Sequence, residues 1–402
     1  MFRLTKFLRE LVEPTPVRPH RDPPGPVVIW NLVRRCNLLC KHCYSISGDV
    51  DFVGELTTAE VFRVLGDLKA ARVPAVILSG GEPLLRPDIY EIAAQAKALK
   101  LSVSLSSNGA LIDDAHADAI AAAGFDYVGV SLDGIGATHD RFRGREGCFD
   151  ASIAGIRRLS ARGVKVGLRY TMTQDNEDEF GALLDLTKAE GATKFYLSHL
   201  VYSGRGNKNR TTDAEHATTR AAVLRLIETA WADVQAGSPR EYVTGNNDAD
   251  GPFLWMWVKE HFPDKAGHIR GKLVEWGGNS SGIGVANIDN LGNVHPDTFW
   301  WDHSLGNVRD RRFGEIWADT SDALMAGLKK RPRTISGRCG ECRLFDMCGG
   351  NTRVRAYRLT GDAFAEDPAC HLDDGEIGLG ETRDRLTVTK FRGLSHEPYH
   401  AA

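Results

Sequence analysis

A chain of 402 residues with 42% hydrophobic and 26% charged residues can bury a full-sized core and carry an added module. Its net charge of -3 and its pI of about 6.5 offer no general attraction to nucleic acid or to anionic membrane. No apolar run is long enough for a transmembrane segment, and the N-terminus lacks the order of a signal peptide, so we expect a cytoplasmic protein.

Residues 1–26 are predicted to be a lead-in segment. Apolar residues recur there among basic ones at helical spacing: Phe2, Leu4, Phe7, Leu8 and Leu11. Such a helix can lie on a membrane surface or a partner, or it can dock on its own domain. Six prolines between positions 14 and 26 then predict extended chain, so the regular fold should begin at Val27.

Short apolar runs then alternate with longer helical patterns. Strands are predicted near 27–33, 75–79, 101–106, 126–132, 164–171 and 193–200, and helices near 57–71, 87–99, 113–123, 150–162 and 176–189. Such β/α repeats predict parallel strands closed partly or fully into a barrel, with a flat doubly wound sheet as the alternative. After Gly204 only a helix near 213–237 is clear, so an appended module should begin somewhere in 240–275.

Three cysteines follow the first predicted strand directly. Cys36, Cys40 and Cys43 have the spacing Cys-x3-Cys-x2-Cys. Three thiolates can ligate three irons of a cubane cluster and leave the fourth iron open to a small molecule. A zinc site completed by His42 or by a distant ligand is the alternative.

Four more cysteines lie near the C-terminus, at Cys339, Cys342, Cys348 and Cys370. Four thiolates can saturate a second [4Fe–4S] cluster, or they can hold a structural zinc. Because seven of the eight cysteines fall into two clusters, they indicate metal binding rather than disulfides. The eighth, Cys148, is interpreted as a buried core residue without a chemical role.

The later predicted strands end in polar or Gly-rich turns, at 79–83, 106–109, 131–134 and 197–206. Since the carboxyl ends of parallel strands open on one face of a barrel, these turns can meet around one ligand.

The first cysteine motif, followed by the aromatic Tyr44, is similar to the signature of the radical S-adenosylmethionine (radical SAM) superfamily. The second cysteine set resembles the outer auxiliary cluster of its C-terminal SPASM module. The resemblance implies a partial (β/α)6 barrel with a SPASM/Twitch-like module, two [4Fe–4S] clusters and S-adenosylmethionine. The predicted domains are a lead-in at 1–26, the barrel at 27–240, the module at 241–375 and a tail at 376–402.

The same resemblance implies the contacts of S-adenosylmethionine. The residues are Gly80 and Gly81 for the amino group, Glu82 for the shape of that turn, Ser107 and Asn108 for the ribose, Ser131 and Arg143 for the carboxylate, and Tyr44 and Leu197 for the adenine. Arg141 is the rival of Arg143 for the carboxylate.

The chain departs from the full module, which carries an inner cluster as well. Asp297 stands where a cysteine is usual, and Thr352 stands where another is expected, so we expect one auxiliary cluster. The space beside His295 and Asp297 is then free for substrate binding or proton transfer, unless the segment is a plain hairpin turn. These two are the predicted catalytic residues.

The resemblance is strongest with the radical enzymes of alternative haem and haem d1 biosynthesis. It implies removal of two propionate side chains from 12,18-didecarboxysiroheme through a 5′-deoxyadenosyl radical, with a possible role in oxo-group introduction. A low-potential electron donor such as a flavodoxin or ferredoxin is the implied partner. Further candidates for contact with the tetrapyrrole are Arg205, Lys208, Arg210, Trp300, Trp301 and His303.

Three other functions stay open at this point. One is a peptide-modifying maturase of the same superfamily, although the segment before Val27 is too short for a precursor-binding domain. Another is a different radical enzyme of the haem pathway. The third, a non-catalytic metal-binding scaffold, would leave Gly80, Gly81, Ser131 and Arg143 without a ligand to hold.

Overall fold

The computed structural model describes residues 1–380 and 385–389, and ten strands of that part form one sheet. The strands are β1 (Val27–Asn31), β2 (Ala75–Ser79), β3 (Ser102–Ser107), β4 (Tyr127–Ser131), β5 (Val166–Met172), β6 (Lys194–His199), β7 (Glu241–Gly245), β8 (Val285–Ile288), β9 (Asn293–His295) and β10 (Gly306–Asn307). Their order is β10-β9-β8-β1-β2-β3-β4-β5-β6-β7.

The helices of the described residues alternate with β1 to β6 and then cluster after β6. They are α1 (Leu4–Arg9), α2 (Thr58–Ala70), α3 (Ile89–Ala98), α4 (Asp114–Ala123), α5 (Ala137–Arg143), α6 (Cys148–Ala161), α7 (Phe180–Ala189), α8 (Gly204–Lys208), α9 (His216–Gln235), α10 (Asp250–His261), α11 (Ala266–Trp276), α12 (Phe313–Ala318), α13 (Ala323–Lys329), α14 (Gly337–Gly340), α15 (Phe345–Cys348), α16 (Arg353–Thr360) and α17 (Asp374–Ile377). None of them is long and apolar enough to cross a membrane.

The predicted β/α repeat is confirmed. Strands β8, β1 and β2 to β7 are each parallel to their neighbours, while β9 and β10 are antiparallel additions at one edge. The sheet has two ends, which makes it an open, partial barrel. It also runs beyond residue 240, because β7 pairs with β6 and β8 pairs with β1. The division into domains stays a prediction, and part of the predicted tail lies outside the described residues.

Helix α2 shows how the repeat is encoded locally. The Thr57 side chain accepts a hydrogen bond from the backbone N–H of Glu60, and the Glu60 carboxylate accepts one from the backbone N–H of Thr57. These two bonds form a capping box at the start of the helix. The helix then buries Val61, Val64, Leu65 and Leu68, the spacing of one helical face. That face joins the main buried core. Helices α3 and α6 also bury an apolar face, although neither has a capping box.

Large polar side chains cross the inner face of the barrel, where neighbouring strands carry glycine. An added Cβ would clash with them at three positions: Gly129 under Arg169, Gly167 under Tyr127, and Gly245 under Tyr196. Arg169 reaches across to β3, where its Nη1 donates to Ser106 Oγ at 2.6 Å. The barrel floor is therefore packed with polar groups rather than left as a pore.

The N-terminal segment docks on its own domain. Phe2 pairs with Thr244 of β7, with N···O distances of 2.7 and 2.8 Å between the two backbones. Its ring centroid lies 4.9 Å from that of Phe7 and 5.0 Å from that of Trp276. The apolar side of α1 thus extends the core at the β7 edge of the sheet.

We predict that Phe2→Ala lowers the free energy of unfolding by about 3–5 kcal/mol, because it deletes a buried ring from a packed aromatic group. Urea unfolding followed by fluorescence measures the change. Val12→Ala is the control, since Val12 is 59% exposed just beyond α1. Equal midpoints for the two variants would contradict the docking of this segment.

Candidate active site

The loop that follows β1 brings the first three cysteines into one small apolar cluster, together with Leu38 and Cys148. Cys36 and Cys40 are buried, and Cys43 is half-buried. The backbone N–H of Cys36 donates to the carbonyl of Gly48 at 2.9 Å, and that of Leu38 donates to the Cys36 thiol at 3.4 Å. Burial raises the pKa of the Cys36 thiol to about 12. A metal would be needed to hold such a thiol as a thiolate.

Arg205 of α8 donates three hydrogen bonds to carbonyls of this loop. Its Nε donates to the carbonyl of Cys40 at 2.7 Å, its Nη1 to that of Ser47 at 2.8 Å, and its backbone N–H to that of Cys43 at 2.8 Å. Sequence reasoning had offered Arg205 to the tetrapyrrole. The structure places Nε and Nη1 of its guanidinium on the cysteine loop, while Nη2 is buried without a hydrogen-bond partner in the described part of the chain, so contact with the tetrapyrrole stays a prediction.

Two features around Arg205 make this contact possible. Gly204 has a φ of +55°, and an added Cβ there would clash with the carbonyl oxygens of Cys43 and Tyr44. Burial acts to raise the pKa of the Cys43 thiol, but Arg205 and the hydrogen bonds of Ser45 outweigh it, so this pKa falls below its usual value. The positive charge therefore favours the ligating form of one cysteine.

The turn after β2 packs directly on the start of the cysteine loop. Gly81 N–H donates to the Val33 carbonyl at 2.6 Å, and Glu82 N–H donates to the Arg35 carbonyl at 2.9 Å. An added Cβ at Gly80 would clash with the Val33 carbonyl, and one at Gly81 with the Arg35 carbonyl. Both glycines are thus required for the approach of two backbones, which is a role beyond the one expected from resemblance.

Glu82 ties this turn to the next one. Its fully buried carboxylate accepts hydrogen bonds from Ser107 Oγ at 2.9 Å, from Asn108 N at 2.8 Å and from Leu84 N at 3.2 Å. Burial raises its pKa to about 7, although these hydrogen bonds oppose the shift. Asn108 in turn donates to Asn37 of the cysteine loop at 2.8 Å. The expected cofactor residues of β2 and β3 therefore form one connected unit.

Asn31, at the end of β1, was missed by sequence reasoning. Its Nδ2 lies 2.8 Å from the Tyr44 hydroxyl and 3.2 Å from the Gly80 carbonyl, and its Oδ1 accepts from Asn287 at 2.6 Å. It thereby joins two of the predicted cofactor contacts. In the sequence, the feature that could have identified Asn31 is that it is the single amide side chain at the end of an otherwise apolar strand.

Arg143 lies beside the cysteine loop, while its rival does not. The Arg143 guanidinium pairs with Asp133 at 2.5 Å and donates to the Cys40 thiol at 3.3 Å. Its Nε is buried without a hydrogen-bond partner among the described residues. Arg141 points outward on α5 and bonds Thr138 at 3.1 Å. The geometry favours Arg143, and Ser131 lies on the inner face at the end of β4.

The side chain of Leu197, which is predicted to flank the adenine, faces the helices in the structure. Leu197 is fully buried and shares the face of β6 with Phe195, whose ring lies 5.9 Å from Phe180 of α7. That face packs on the helices. Because side chains alternate along a strand, it is Tyr196 that turns inward at this level. Tyr44, the other residue predicted for the adenine, does border the barrel mouth.

The segment from His295 to Trp301 lies against Tyr44. The Tyr44 ring centroid is 5.6 Å from that of Phe299 and 6.0 Å from that of Trp301, and His295 stacks on Trp301 at 6.0 Å. The segment after β9 therefore lies beside Tyr44, one of the residues predicted to contact the cofactor. Asp297 belongs to the same segment, and both predicted catalytic residues are buried.

His295 and Asp297 nevertheless have different hydrogen-bond partners. His295 bonds the His303 carbonyl at 2.8 Å and Asp289 at 3.4 Å. Asp297 accepts from Ser281 Oγ at 2.5 Å and from a backbone N–H at 2.8 Å. Burial raises the pKa of Asp297, and the Ser281 hydrogen bond opposes this shift. The two groups are neighbours rather than a hydrogen-bonded pair.

The remaining candidates for the tetrapyrrole are engaged elsewhere or exposed. Arg210 donates to the Thr389 carbonyl at 2.6 Å, and His303 pairs with Asp322 at 3.0 Å. Trp300 is buried in a small separate core. Lys208 is exposed. Of the residues offered to the substrate, Trp301 is the one whose ring reaches Tyr44.

The second cysteine set surrounds one small cavity. All four thiols, Cys339, Cys342, Cys348 and Cys370, line it together with apolar side chains from α10 and the C-terminal helices. Burial raises the pKa of Cys370 to about 12. Thr352 donates to the Asn246 carbonyl at 3.0 Å. The buried Cys148 stands apart from this set and lies 3.2 Å from Asp140.

Comparison with known proteins gives a consistent picture. A family model described as the Radical SAM superfamily matches residues 30–187. The chain is 53% identical to the pre-heme d1 synthase of Dinoroseobacter shibae over 99% of both chains. It is 43% identical to the Fe-coproporphyrin III synthase of Methanosarcina barkeri, over 89% of this chain and 90% of the relative. In fold it resembles Streptococcus suis SuiB bound to the precursor peptide SuiA, with a TM-score of 0.70, 17% identity, and coverage of 91% and 79%.

We predict that Arg205→Gln loosens the cysteine loop, so that a cluster ligated by this loop, as the cysteine motif predicts, would be held more weakly. The variant loses charge-assisted hydrogen bonds worth roughly 1.5–3 kcal/mol each, so a chelator should strip iron from it about tenfold faster or more. Loss of visible absorbance under anaerobic conditions measures the rate. Lys208→Gln on the same helix is the control, and equal rates in the two variants would refute the role of Arg205.

Proposed function

Because the chain belongs to the radical SAM superfamily, we propose that it is the enzyme that removes two propionate side chains from 12,18-didecarboxysiroheme, with a further part in introducing the oxo groups. That it is a radical SAM enzyme follows from the family, which also implies S-adenosylmethionine and a [4Fe–4S] cluster. The observation that carries the finer proposal is the 53% identity with a pre-heme d1 synthase over 99% of both chains.

Cys36, Cys40 and Cys43 would hold the cluster with the open iron. When bound there, the cluster supplies an electron that cleaves S-adenosylmethionine to methionine and a 5′-deoxyadenosyl radical. The chain orients the cofactor: the turn of Gly80 and Gly81 lies at the cysteine loop, and the unpartnered Nε of the buried Arg143 is a donor suited to a carboxylate. Arg205 keeps the loop closed from the opposite side.

We also assign a second cluster to Cys339, Cys342, Cys348 and Cys370. Their support is the shared apolar cavity that all four thiols line. A cubane places each thiolate on its own iron and so needs thiols spread around a cavity. Within the described residues no group of three or more Cys, His, Asp or Glu is arranged to hold a metal ion. With every iron ligated, this cluster would serve to take up the surplus electron.

The substrate would bind where the module meets the barrel mouth. Trp301, Phe299 and Tyr44 offer rings against which a flat macrocycle can pack. His295 and Asp297 lie on the same segment and would contact the iron or a propionate, or move a proton. A flavodoxin or ferredoxin would supply the electron.

An anaerobic assay with didecarboxysiroheme, S-adenosylmethionine and a reductant tests the proposal, with products read by mass. The expected product lacks two propionate side chains and appears with 5′-deoxyadenosine. The 43% identity with an Fe-coproporphyrin III synthase makes formation of Fe-coproporphyrin III the second candidate. That product, or cofactor cleavage without any change in tetrapyrrole mass, would overturn the first proposal.

Replacing Cys36, Cys40 and Cys43 with alanine should abolish reductive cleavage of S-adenosylmethionine, because the open cluster is lost. The chain should still fold, since the β/α repeats build its core. Alanine at the four C-terminal cysteines is the matched variant: it should still form 5′-deoxyadenosine, at a lower rate, and fail on the tetrapyrrole. Formation of 5′-deoxyadenosine by the first variant would show that the cluster lies elsewhere.

Asp297→Asn should spare iron content and uncoupled cofactor cleavage, yet weaken substrate binding or propionate loss about tenfold or more, which is roughly 1.4 kcal/mol. His295→Ala should have a comparable effect. The separate hydrogen bonds of the two residues predict nearly additive losses in the double variant. Asp302→Asn, nearby and 40% exposed at its side chain, is the control. Wild-type turnover in both single variants would contradict the catalytic role and show that this segment is only a structural turn.

A further inference from the structure

One positive charge of the sheet has no anionic partner. Strands β1 to β7 contain three Lys, Arg, Asp or Glu side chains, which are Arg169 of β5, Lys194 of β6 and Glu241 of β7. Glu241 pairs with Lys194 at 2.9 Å and also with Arg3 of the N-terminal segment. Among the described residues, no Asp or Glu oxygen lies within 4 Å of the Arg169 guanidinium. Arg169 is therefore the one cation of these strands that no carboxylate of the described chain neutralises.

This guanidinium lies on the inner face of the partial barrel. Leu168 and Tyr170, its neighbours along β5, are buried in the core, whereas Arg169 between them is only partly buried. The Arg169 side chain crosses Gly129 of β4, where an added Cβ would clash with Nε and Cζ. The charge thus borders the space that the sheet encloses, and the glycine leaves room for it there.

Hydroxyl groups surround the guanidinium. Its Nη1 donates to Ser106 Oγ at 2.6 Å. Burial raises the pKa of three nearby tyrosines, Tyr44, Tyr127 and Tyr196, and this positive charge opposes each shift. Because Tyr44 borders the barrel mouth, Arg169 lies within electrostatic reach of the rings there. Hydroxyls can orient a guanidinium, but they carry no charge that would neutralise it.

The charge of Arg169 restricts what can fill the barrel. A ligand that enters this space removes water from the guanidinium, and a cation that loses its hydration without gaining an anion is costly. A guanidinium binds a carboxylate through two parallel hydrogen bonds, so a ligand with a carboxylate would offset this cost. For the carboxylate of S-adenosylmethionine, the buried Nε of Arg143 is already the proposed donor. Arg169 is then left for a carboxylate of the substrate.

We propose that Arg169 binds a carboxylate side chain of the tetrapyrrole inside the barrel and thereby selects substrates that carry one. This rests on the proposed function, which supplies the tetrapyrrole. With the macrocycle packed on the rings beside Tyr44, a side chain directed inward would bring its carboxylate to the guanidinium. A tetrapyrrole with an apolar side chain in that place would leave the cation without a partner and bind more weakly.

The test measures binding rather than turnover, on the anaerobically reconstituted protein. Arg169→Gln removes the charge and keeps a hydrogen-bond donor, whereas Arg169→Lys keeps a charge at the same position. Lys165→Gln is the control, because Lys165 is exposed directly before β5 and its replacement removes an equal charge. Fluorescence quenching gives the dissociation constants of didecarboxysiroheme and of its methyl ester in the same detergent, and equilibrium dialysis gives that of S-adenosylmethionine. Iron content checks that each variant is folded and loaded.

We expect Arg169→Gln to raise the dissociation constant of didecarboxysiroheme about tenfold or more, and to leave that of the uncharged ester as in wild type. Arg169→Lys should recover part of the affinity, and every variant should bind S-adenosylmethionine as wild type does. Unchanged affinity in Arg169→Gln, an equal loss for acid and ester, or weaker binding of S-adenosylmethionine alone would overturn the substrate site. Failure of the wild-type protein to bind didecarboxysiroheme would overturn the proposed function, and this site with it.

Discussion

The cysteine loop has almost no regular secondary structure, so its backbone groups must be satisfied by other parts of the chain. These groups are satisfied by the turn after β2, by α5 and by α8: Gly81 and Glu82 donate to carbonyls at the start of the loop, and Arg205 donates to carbonyls further along it. The Arg143 carbonyl accepts from Leu39 at 3.0 Å. These contacts form only when the segments that follow β1, β2, β4 and β6 lie side by side. The parallel sheet brings them together, because it aligns the ends of those strands.

This dependence explains what the sequence predicts well. Six strands are recovered within a few residues, because each is a short apolar run followed by an amphipathic helix. The Gly-Gly-Glu turn is recognisable because close backbone approach restricts residue choice strongly at Gly80 and Gly81. By contrast, β7 and β8 were not predicted. No β/α repeat pattern marks them in the sequence, and their pairing, β7 with β6 and β8 with β1, is decided by tertiary contacts.

Residues that act through long-range contacts could not be assigned from sequence. The hydrogen bonds of Arg205 to the carbonyls of Cys40 and Ser47, some 160 residues away in sequence, form only in the folded chain. Whether the Leu197 side chain faces inward or toward the helices likewise depends on the register of the neighbouring strands. The same holds for Asn31, whose partners Tyr44 and Asn287 become neighbours only in the folded sheet. The motif identifies the chemistry, and the folded chain decides which side chains support it.

We propose that Cys36, Cys40 and Cys43 hold an open cluster that takes S-adenosylmethionine, distinct from a closed cluster on the C-terminal four cysteines. Electron paramagnetic resonance of the reduced, reconstituted protein tests it most directly. Two cluster signals should appear, and S-adenosylmethionine should change one of them; that signal alone should persist when the four C-terminal cysteines are alanine. A spectrum that S-adenosylmethionine leaves unchanged, or zinc in place of iron at the first site, would contradict the account.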